Sequence, residues 1–361
     1  MIGRAAVEPP LRVGLIGYGL AGATFHAPLI RVRPDLQLSS IVTKDLERRA
    51  RAHHDHPDAQ LLSTPKELWA RAADHDLIIV ATPNSSHAPL AEAAIDAGLN
   101  VVVDKPLAVT SAQGRSLVEH AVARGVLLTV FQNRRWDGDF RTVRNLLDDG
   151  ELGAVIRFES RFERWRPAVR AGAWREQAAP EEGGGLLYDL GSHLIDQANV
   201  LFGQPRLVYA ELEQHRQGAQ VDDDTFVALT YKGGVRAHLW MSAVAAAPGP
   251  RFRVLGLSGM YEKHGLDPQE EALRQGISPD RSNWGTEPPD RWGTLSDGEI
   301  SRPIETVPGA YPEFYAHVAR ALREGKPPPV DPIDAVRTLE VIEAARRSAT
   351  LGTTVPLAPA N

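Results

Sequence analysis

The chain has 361 residues, a length that predicts two domains. Its formal net charge is −6 and it contains no long basic run, so we expect no nucleic-acid partner. The sequence has no cysteine, which excludes disulfides, thiolate metal sites and cysteine nucleophiles and is consistent with a reducing compartment. We find no signal peptide and no apolar stretch of roughly 20 residues that would span a membrane. We therefore expect a cytoplasmic protein without a membrane partner.

The first part of the chain alternates short apolar strands with helices. Residues 1–10 are expected to form a loosely attached leader. The predicted strands are 12–16, 36–43, 77–80, 100–103 and 127–131, and the clearest helices are 23–33, 86–97 and 111–124. Such alternation is typical of a parallel sheet with helices on both faces. The sequence therefore predicts an α/β Rossmann dinucleotide-binding domain over residues 1–133.

A glycine-rich stretch follows the first predicted strand directly. Its residues are Gly17, Tyr18, Gly19, Leu20, Ala21 and Gly22. In this context Gly17 permits a tight turn, Gly19 lets the backbone approach a pyrophosphate, and Gly22 allows a helix to pack closely on the strand. The start of that helix also favours the negative charge of phosphates. Because a strand precedes it and a helix follows, we interpret this stretch as a dinucleotide site.

The pattern changes after residue 133. The later elements are strands near 155–164, 207–213, 225–231, 235–241 and 252–257, with helices near 141–149, 185–202, 311–324 and 333–348. They predict a second, α+β domain over residues 134–361, with an open and mainly antiparallel sheet. Residues 261–300 are rich in Gly, Pro, Asp and Trp without periodicity, and we expect an ordered excursion or lid outside the core.

Three predicted parallel strands end in polar residues. These ends are Thr82-Pro83-Asn84, Asp104-Lys105-Pro106 and Gln132-Asn133-Arg134. Ligands of open parallel sheets bind beyond the carboxyl ends of the strands. Pro106 favours an extended backbone at Lys105, which presents the lysine side chain. A single such lysine is usually a solvated charge, but three polar ends at one cleft favour a functional site.

A second group of reactive residues lies on the helix that follows Gly183-Gly184-Gly185. Asp189, His193 and Asp196 have the spacing i, i+4, i+7 and would share one helix face. A carboxylate one turn from an imidazole can orient it and raise its proton affinity, as a general base requires. The alternative is a capping aspartate and a packed core histidine. The preceding glycines, which allow a ligand to approach closely, favour the functional interpretation.

Only one cluster has the composition of a metal site. It is the run His53-His54-Asp55-His56, which lacks the ligand spacing of a closed centre. We interpret it as a solvated loop and predict no bound metal.

Taken together, the motifs resemble the Gfo/Idh/MocA oxidoreductases, the glucose–fructose oxidoreductase and inositol dehydrogenase family. The resemblance covers nearly the whole chain and rests on the glycine stretch with residues 24–28, Thr82-Pro83-Asn84 with His87, Asp104-Lys105-Pro106, and the Asp189–His193 helix. Asp104 stands where the family usually has glutamate. Residues 131–137 and 261–271 look like the branch that contains NADP-dependent scyllo-inositol dehydrogenases.

The resemblance implies roles for individual residues. Lys105 would hold the reacting hydroxyl, and Asp189 with His193 would form the proton-transfer pair. Outside the glycine stretch, the implied or expected cofactor-binding residues are Thr43, Lys44, Arg48, Thr82, Pro83, Asn84, His87, Asp104, Lys105 and Asn133. The second domain would supply the substrate wall. Its open sheet would also join two or four copies into a homodimer or homotetramer.

The end of the second strand bears on which nicotinamide cofactor is used. An NAD site usually has an acid about 20 residues after the glycines, bonded to the ribose 2′-hydroxyl. Thr43 occupies that position here, and Lys44 and Arg48 could meet a 2′-phosphate. Asp45 is close enough to support NAD instead. We therefore favour NADP and leave NAD open.

The predicted function is hydride transfer between a nicotinamide cofactor and a hydroxyl or carbonyl group of a cyclic polyol or sugar. Three alternatives remain open at this stage. They are reduction of a different carbonyl or imine, redox-cycling glycoside cleavage, and a catalytically silent dinucleotide-binding sensor. Intact Lys105, Asp189 and His193 argue against a silent protein, because a sensor needs no proton-transfer residues.

Overall fold

The computed structural model describes residues 8–170, 172 and 174–358, so residues 1–7 of the expected leader lie outside the described residues. The N-terminal sheet has six parallel strands. They are β1 (Leu11–Ile16), β2 (Leu36–Val42), β3 (Gln60–Leu62), β4 (Leu77–Val80), β5 (Asn100–Asp104) and β6 (Leu128–Phe131). Their order is β3-β2-β1-β4-β5-β6, which reverses between β1 and β4. A ligand crevice is expected at that reversal, beyond the strand ends.

Helices α1 to α5 connect these strands, and α6 follows β6 into the second part of the chain. They are α1 (Ala27–Arg31), α2 (Leu46–Asp55), α3 (Pro65–Trp69), α4 (His87–Asp96), α5 (Ser111–Arg124) and α6 (Gly138–Asp148). A π-helical turn, Ala21–His26, precedes α1, so this helical stretch begins earlier and ends earlier than the predicted 23–33. His53 and His54 lie in the last turn of α2, which corrects the loop predicted for them. The Rossmann prediction itself is confirmed.

The C-terminal sheet has nine strands. They are β7 (Val155–Glu163), β8 (Leu207–Glu213), β9 (Asp224–Thr230), β10 (Arg236–Ser242), β11 (Phe252–Gly256), β12 (Met260–Lys263), β13 (Gly293–Ser296), β14 (Ser301–Ile304) and β15 (Val355–Pro356). Their order is β14-β13-β12-β11-β7-β10-β9-β8-β15, and only the β7–β10 pair among these is parallel. The predicted mainly antiparallel sheet is therefore confirmed.

Five helices complete the second part of the chain. They are α7 (Trp174–Gln177), α8 (Ser192–Phe202), α9 (Gln269–Arg274), α10 (Tyr311–Glu324) and α11 (Pro332–Leu351). A second π-helical turn, Leu187–Gly191, leads into α8. Helices α8 and α11 pack together, and α11 also packs against α5 of the N-terminal domain. Because the closing helices return to the N-terminal domain, the boundary near residue 133 stays a prediction.

Residues 261–300 are better integrated than their composition predicts. Strands β12 and β13 extend the sheet, and α9 packs against the turn Ala21–His26. Gln269 is fully buried, donates to the Trp136 carbonyl at 3.1 Å and accepts from the Tyr311 amide at 2.7 Å. Lys263 is also fully buried, with its ammonium 3.1 Å from Glu287. The segment is therefore part of the core, held by polar contacts that hydrophobic periodicity does not reveal.

Within the described ranges, we find no helix whose length and apolar character would allow it to cross a bilayer. Cytoplasmic location stays a prediction from composition.

Candidate active site

The glycine stretch forms the tight turn that the sequence predicts. Gly17 has a φ of +100°, and a Cβ built there would lie 2.4 Å from the Ala81 carbonyl oxygen. A Cβ on Gly22 would lie 2.0 Å from the Gly17 carbonyl oxygen, so any larger residue would push the helix off the strand. A Cβ on Gly19 would meet only the Arg48 guanidinium, at 3.5 Å. The turn is thus closed on its protein side and open at Gly19, which fits a dinucleotide pyrophosphate.

One basic side chain lies beside this turn, since Arg48 reaches Gly19 from the first turn of α2. Lys44 is exposed and directly precedes that helix in the chain. Asp45 is the N-cap of α2, with its carboxylate accepting from the Arg48 amide at 2.9 Å. Thr43 is buried, and its amide donates to the Leu62 carbonyl at 3.0 Å. The carboxylate most able to bind a ribose hydroxyl is therefore already engaged as a helix cap.

Residues that follow β4 stabilise the neighbouring loops of the site through hydrogen bonds. Asn84 is buried and donates to the Gly183 carbonyl at 2.8 Å, which joins this strand end to the triple glycine. The ring nitrogens of His87 lie 2.7 Å from the Pro106 carbonyl and 2.8 Å from the Thr82 carbonyl. Burial lowers the pKa of His87. Since His87 is engaged with backbone on both sides, it supports the strand ends rather than facing the cavity described below.

Lys105, at the end of β5, meets Asp189 from the second domain. Its ammonium donates to the Asp189 main-chain carbonyl at 2.5 Å and to the Asp189 carboxylate at 3.0 Å. That carboxylate also lies 3.2 Å from Arg175 and 3.8 Å from Arg164. Burial raises the pKa of Asp189, but these three cations outweigh it and hold the pKa well below its usual value. Asp189 is therefore a permanent anion at neutral pH.

His193 is buried beside this pair without being bonded to it. Its Nδ1 has no hydrogen-bond partner among the described residues. Burial first, and then the charges of Lys105 and Arg134, lower the pKa of His193 well below its usual value. Asp189 raises that pKa, as expected, but burial and the two cations outweigh its contribution, and the imidazole is neutral.

The three residues of the predicted helix face do not all reach one site. Asp189, in the π-helical turn Leu187–Gly191, and His193, in α8, both line the cavity described below. Asp196 pairs instead with Arg135, at 2.7 and 2.8 Å. What the helix supplies is a carboxylate on Lys105 and a separate neutral imidazole.

A cavity of about 880 Å³ brings many of the predicted residues together. The predicted site residues that line it are Leu20, Ala21, Asp104, Lys105, Asn133, Asp189 and His193. The predicted site residues that do not line it are Gly17, Tyr18, Gly19, Gly22, Thr43, Lys44, Arg48, Thr82, Pro83, Asn84 and His87. Leu266, Pro268 and Ile277 close one side, so the segment 261–300 contributes a wall to the site. The cavity connects the nucleotide turn with the reactive residues of both domains.

Several charged residues of the cavity were not assigned a role from the sequence. Arg134 is buried, pairs with Glu270 of α9 and stacks over the Phe162 ring at 4.6 Å. Arg164 and Arg175 pair with Asp189, as described above. The signal that could have found the latter two is arginine density, since five arginines fall within residues 161–175 of an acidic chain.

Within the described residues, no group of three or more His, Cys, Asp or Glu side chains is arranged to hold a metal ion. The absence of a metal stays a prediction.

Two family models match the chain, one for each part. Residues 11–132 match "Oxidoreductase family, NAD-binding Rossmann fold" of the Gfo/Idh/MocA group, and residues 144–357 match its "Oxidoreductase family, C-terminal alpha/beta domain". Among curated relatives, the uncharacterized oxidoreductase YdgJ of Escherichia coli is 45% identical, covering 96% of this chain and 99% of that protein. The scyllo-inositol 2-dehydrogenase (NADP(+)) IolW of Bacillus subtilis is 38% identical, covering 96% and 95%.

Solved structures give the same result. The putative oxidoreductase YPO2259 of Yersinia pestis has a TM-score of 0.91 and 41% identity, covering 99% of this chain and 100% of that one. The putative oxidoreductase YvaA of Bacillus subtilis also has a TM-score of 0.91, with 36% identity over 98% of this chain and 100% of that one. The likeness therefore spans both domains.

Proposed function

The chain belongs to the Gfo/Idh/MocA family of oxidoreductases, and we propose that it transfers a hydride between NADP and a hydroxyl-bearing carbon of a cyclic polyol or sugar. The observation that carries this proposal is the Lys105 ammonium, fixed on Asp189 in the cavity that also holds His193. Similarity to a protein named scyllo-inositol 2-dehydrogenase supports a polyol substrate.

When bound, the nicotinamide would accept the hydride in oxidation and donate it in reduction. Lys105 has three N–H donors, of which Asp189 accepts two, so one remains for a substrate oxygen. Its positive charge would stabilise the alkoxide as the hydroxyl loses its proton, and such stabilisation is usually the largest catalytic contribution. Asp189, held as an anion, fixes the position of that ammonium.

His193 would take the hydroxyl proton in oxidation and return it in reduction. A base must be unprotonated before it acts, and the low pKa of His193, caused by burial and then by Lys105 and Arg134, keeps it so. The same cations disfavour a lasting imidazolium, so the proton is readily released again. The glycine turn, with Arg48 beside Gly19, would hold the cofactor phosphates.

A polyol panel with two active-site variants tests the proposal. The unmodified protein should reduce NADP with at least one cyclic polyol or pyranose. Lys105→Met should lower kcat about 10²–10³-fold, and His193→Ala about 10²–10⁴-fold. Cofactor affinity, followed by tryptophan fluorescence, should change little. Lys232→Met, at an exposed lysine remote from the cavity lining, is the matched control and should behave as the unmodified protein.

Two results would contradict the proposal. Near-normal kcat in folded Lys105→Met would exclude the assigned role of the ammonium. Cofactor binding without turnover of any polyol, sugar, carbonyl or imine would favour the dinucleotide-binding sensor.

For the cofactor, we infer a preference for NADP over NAD. Arg48 lies beside Gly19 on the open side of the glycine turn, Lys44 is exposed just before the same helix, and the Asp45 carboxylate is engaged as the cap of that helix. NADPH should bind more tightly than NADH, and Lys44→Ala should reduce the ratio of the two affinities several-fold, because a solvent-exposed ion pair contributes at most about 1 kcal/mol. Lys66→Ala, at an exposed lysine of α3, is the control. A preference of the unmodified protein for NADH would overturn this assignment.

For assembly, we propose a homodimer or homotetramer joined through the open face of the C-terminal sheet. Phe226, His238 and Trp240 form a half-buried aromatic cluster there, with the Phe226 and Trp240 ring centres 5.2 Å apart. Such apolar patches on a monomer usually mark an interaction site. Light scattering should give two or four copies, and Trp240→Glu should give smaller species. A monomer at micromolar concentration of the unmodified protein would defeat this proposal.

A further inference from the structure

Among the described residues, seven arginines line the cavity, which is more than the catalytic residues require. The whole chain carries a net charge of −6, yet the described residues that line the cavity include eight basic and six acidic side chains. A neutral polyol would need no such excess of positive charge. The excess of positive charge therefore bears on the charge of the substrate.

Two of the arginines are presented by an extended segment that continues β7. The Arg164 amide donates to the Ser242 carbonyl at 3.0 Å, and the Arg166 amide donates to the Ala243 carbonyl at 2.7 Å. In an extended chain, residues i and i+2 point to the same side. Both arginines line the cavity, while Trp165 between them is 57% exposed.

The charge of this pair is incompletely balanced. Arg164 is 3.8 Å from the Asp189 carboxylate, which Lys105 and Arg175 approach more closely. For the Arg166 guanidinium, the described part of the chain offers no ion pair and no hydrogen bond. Burial first, and then Arg170 and Arg274, lower the pKa of Arg166, and Glu176 and Asp189 offset this only in part.

A buried arginine, Arg216, fixes the backbone of this segment. Arg216 pairs with Asp223 and with Glu176, each at 2.9 Å. Its guanidinium also donates to the main-chain carbonyl of Arg166, at 3.4 Å. Glu176 in turn pairs with Arg170 at 2.9 Å. Arg166 therefore projects from a backbone that is fixed before any ligand arrives.

We infer that the substrate carries an anionic group, a phosphate monoester or a carboxylate, which Arg166 and Arg164 bind. This inference rests on the proposed function, because it takes Lys105 and His193 to mark the reacting end of the same substrate. A guanidinium binds carboxylate or phosphate oxygens with two parallel hydrogen bonds, which a polyol hydroxyl cannot accept equally well. The cofactor phosphates do not need this pair, since the glycine turn and Arg48 are proposed to hold them.

Calorimetric titration of the NADPH-saturated protein tests the inference without requiring turnover. The probes are glucose, glucose 6-phosphate and glucuronate, together with myo-inositol and inositol 1-phosphate. At least one anionic probe should bind tenfold or more tightly than its neutral parent, and added salt should reduce the difference. Tighter binding of the phosphates alone identifies a phosphate monoester, and tighter binding of glucuronate alone identifies a carboxylate.

Variants connect that preference to the arginine. Arg166→Gln should weaken binding of the anionic probe about tenfold and leave the neutral parent unchanged, and Arg166→Lys should restore part of the loss. Arg144→Gln, at an exposed arginine of α6 outside the cavity, should change neither.

Three outcomes overturn the inference. The first is equal affinity within every probe pair, including no measurable binding of either member. The second is an Arg166→Gln variant that keeps the anion preference, and the third is one that loses NADPH affinity instead. Turnover of neutral polyols without anion preference would leave the proposed hydride transfer standing and refute this inference alone. Anion preference without turnover of any probe would support the inference and count against the hydride transfer.

Discussion

The two ends of the cavity are built by different means. The glycine turn, Gly17–Gly22, is made by one continuous stretch and depends on backbone that approaches within van der Waals distance. The catalytic cluster, Lys105, Asp189 and His193, comes from two domains and depends on opposite charges in a mostly buried site. The first is therefore sensitive to the volume of single residues. The second is sensitive to charge, because each ion there is balanced by partners distant in sequence.

Replacing Asp189 with a neutral residue should give the largest effect on stability and kcat. That effect should be confined to the catalytic cluster. Asp189→Asn leaves Lys105, Arg164 and Arg175 without their shared anion, and breaking a buried ion pair typically lowers the free energy of unfolding by about 3–5 kcal/mol. We also expect a fall in kcat, because Lys105 loses the contact that fixes it. Chemical denaturation and steady-state kinetics measure the two effects.

The control for this prediction is Asp290→Asn, at an exposed aspartate for which no ion pair is found among the described residues. Asp189→Asn protein with unchanged stability and unchanged kcat would show that the cluster does not depend on charge balance.

Acid should lower the stability of the fold through His26, which lies between the nucleotide turn and the end of β5 that carries Lys105. His26 lies in the turn Ala21–His26, bonds Tyr315 at 2.6 Å and is 3.9 Å from Asp104. Burial lowers its pKa from 6.5 to about 4. The unfolded chain therefore binds a proton that the folded chain resists, so this contribution to stability is complete above pH 6.5 and is lost as the pH falls. The expected loss at pH 4 is about 3 kcal/mol.

Denaturation curves at pH 7.5 and pH 4 measure this loss. His26→Gln should flatten the pH dependence by about 3 kcal/mol, while His264→Gln, at an exposed histidine, should leave it unchanged. Equal pH dependence in the unmodified protein and His26→Gln would rule out His26 as the acid-sensitive group.

A single methyl group should disturb the nucleotide end by a smaller amount. In Gly22→Ala the new Cβ would lie 2.0 Å from the Gly17 carbonyl oxygen, and forced overpacking typically lowers stability by about 1–3 kcal/mol. Affinity for NADPH should fall with it, while the charged groups around Lys105 stay in place. Gly114→Ala is the matched control within α5, because its Cβ would meet only side-chain atoms, at 3.2 Å or more. Unaltered NADPH affinity in Gly22→Ala would argue against close backbone approach.

The same contrast explains what could be predicted from the sequence. The parallel strands were found because Leu77–Val80 and similar segments are wholly apolar, and the glycine turn was found because its residues are contiguous. The three strand ends identified Lys105 for the same reason. Strand β3 was missed, since it has only three residues.

Contacts between distant residues could not be predicted in the same way. Arg164 and Arg175 meet Asp189 only after the second domain folds against the first, and no local pattern encodes that meeting. The spacing of Asp189 and His193 placed both at one site, and both line the cavity, but the π-helical turn that contains Asp189 and its contacts with Lys105 follow from no local pattern. Gln269 and Lys263 were placed outside the core because buried polar residues resemble surface residues in a hydropathy pattern.

The two π-helical turns have a consequence for insertions and deletions. A π-helical turn can be regarded as an α-helix that carries one extra residue. Because the wide turn accommodates that residue, deleting one residue within Leu187–Gly191 would restore a regular α-helix with little rotation of α8. The residues inside the turn would shift, and Asp189, whose main-chain carbonyl and carboxylate both accept from Lys105, is one of them. Chain length at this point thus constrains the chemistry as strictly as the identity of any side chain.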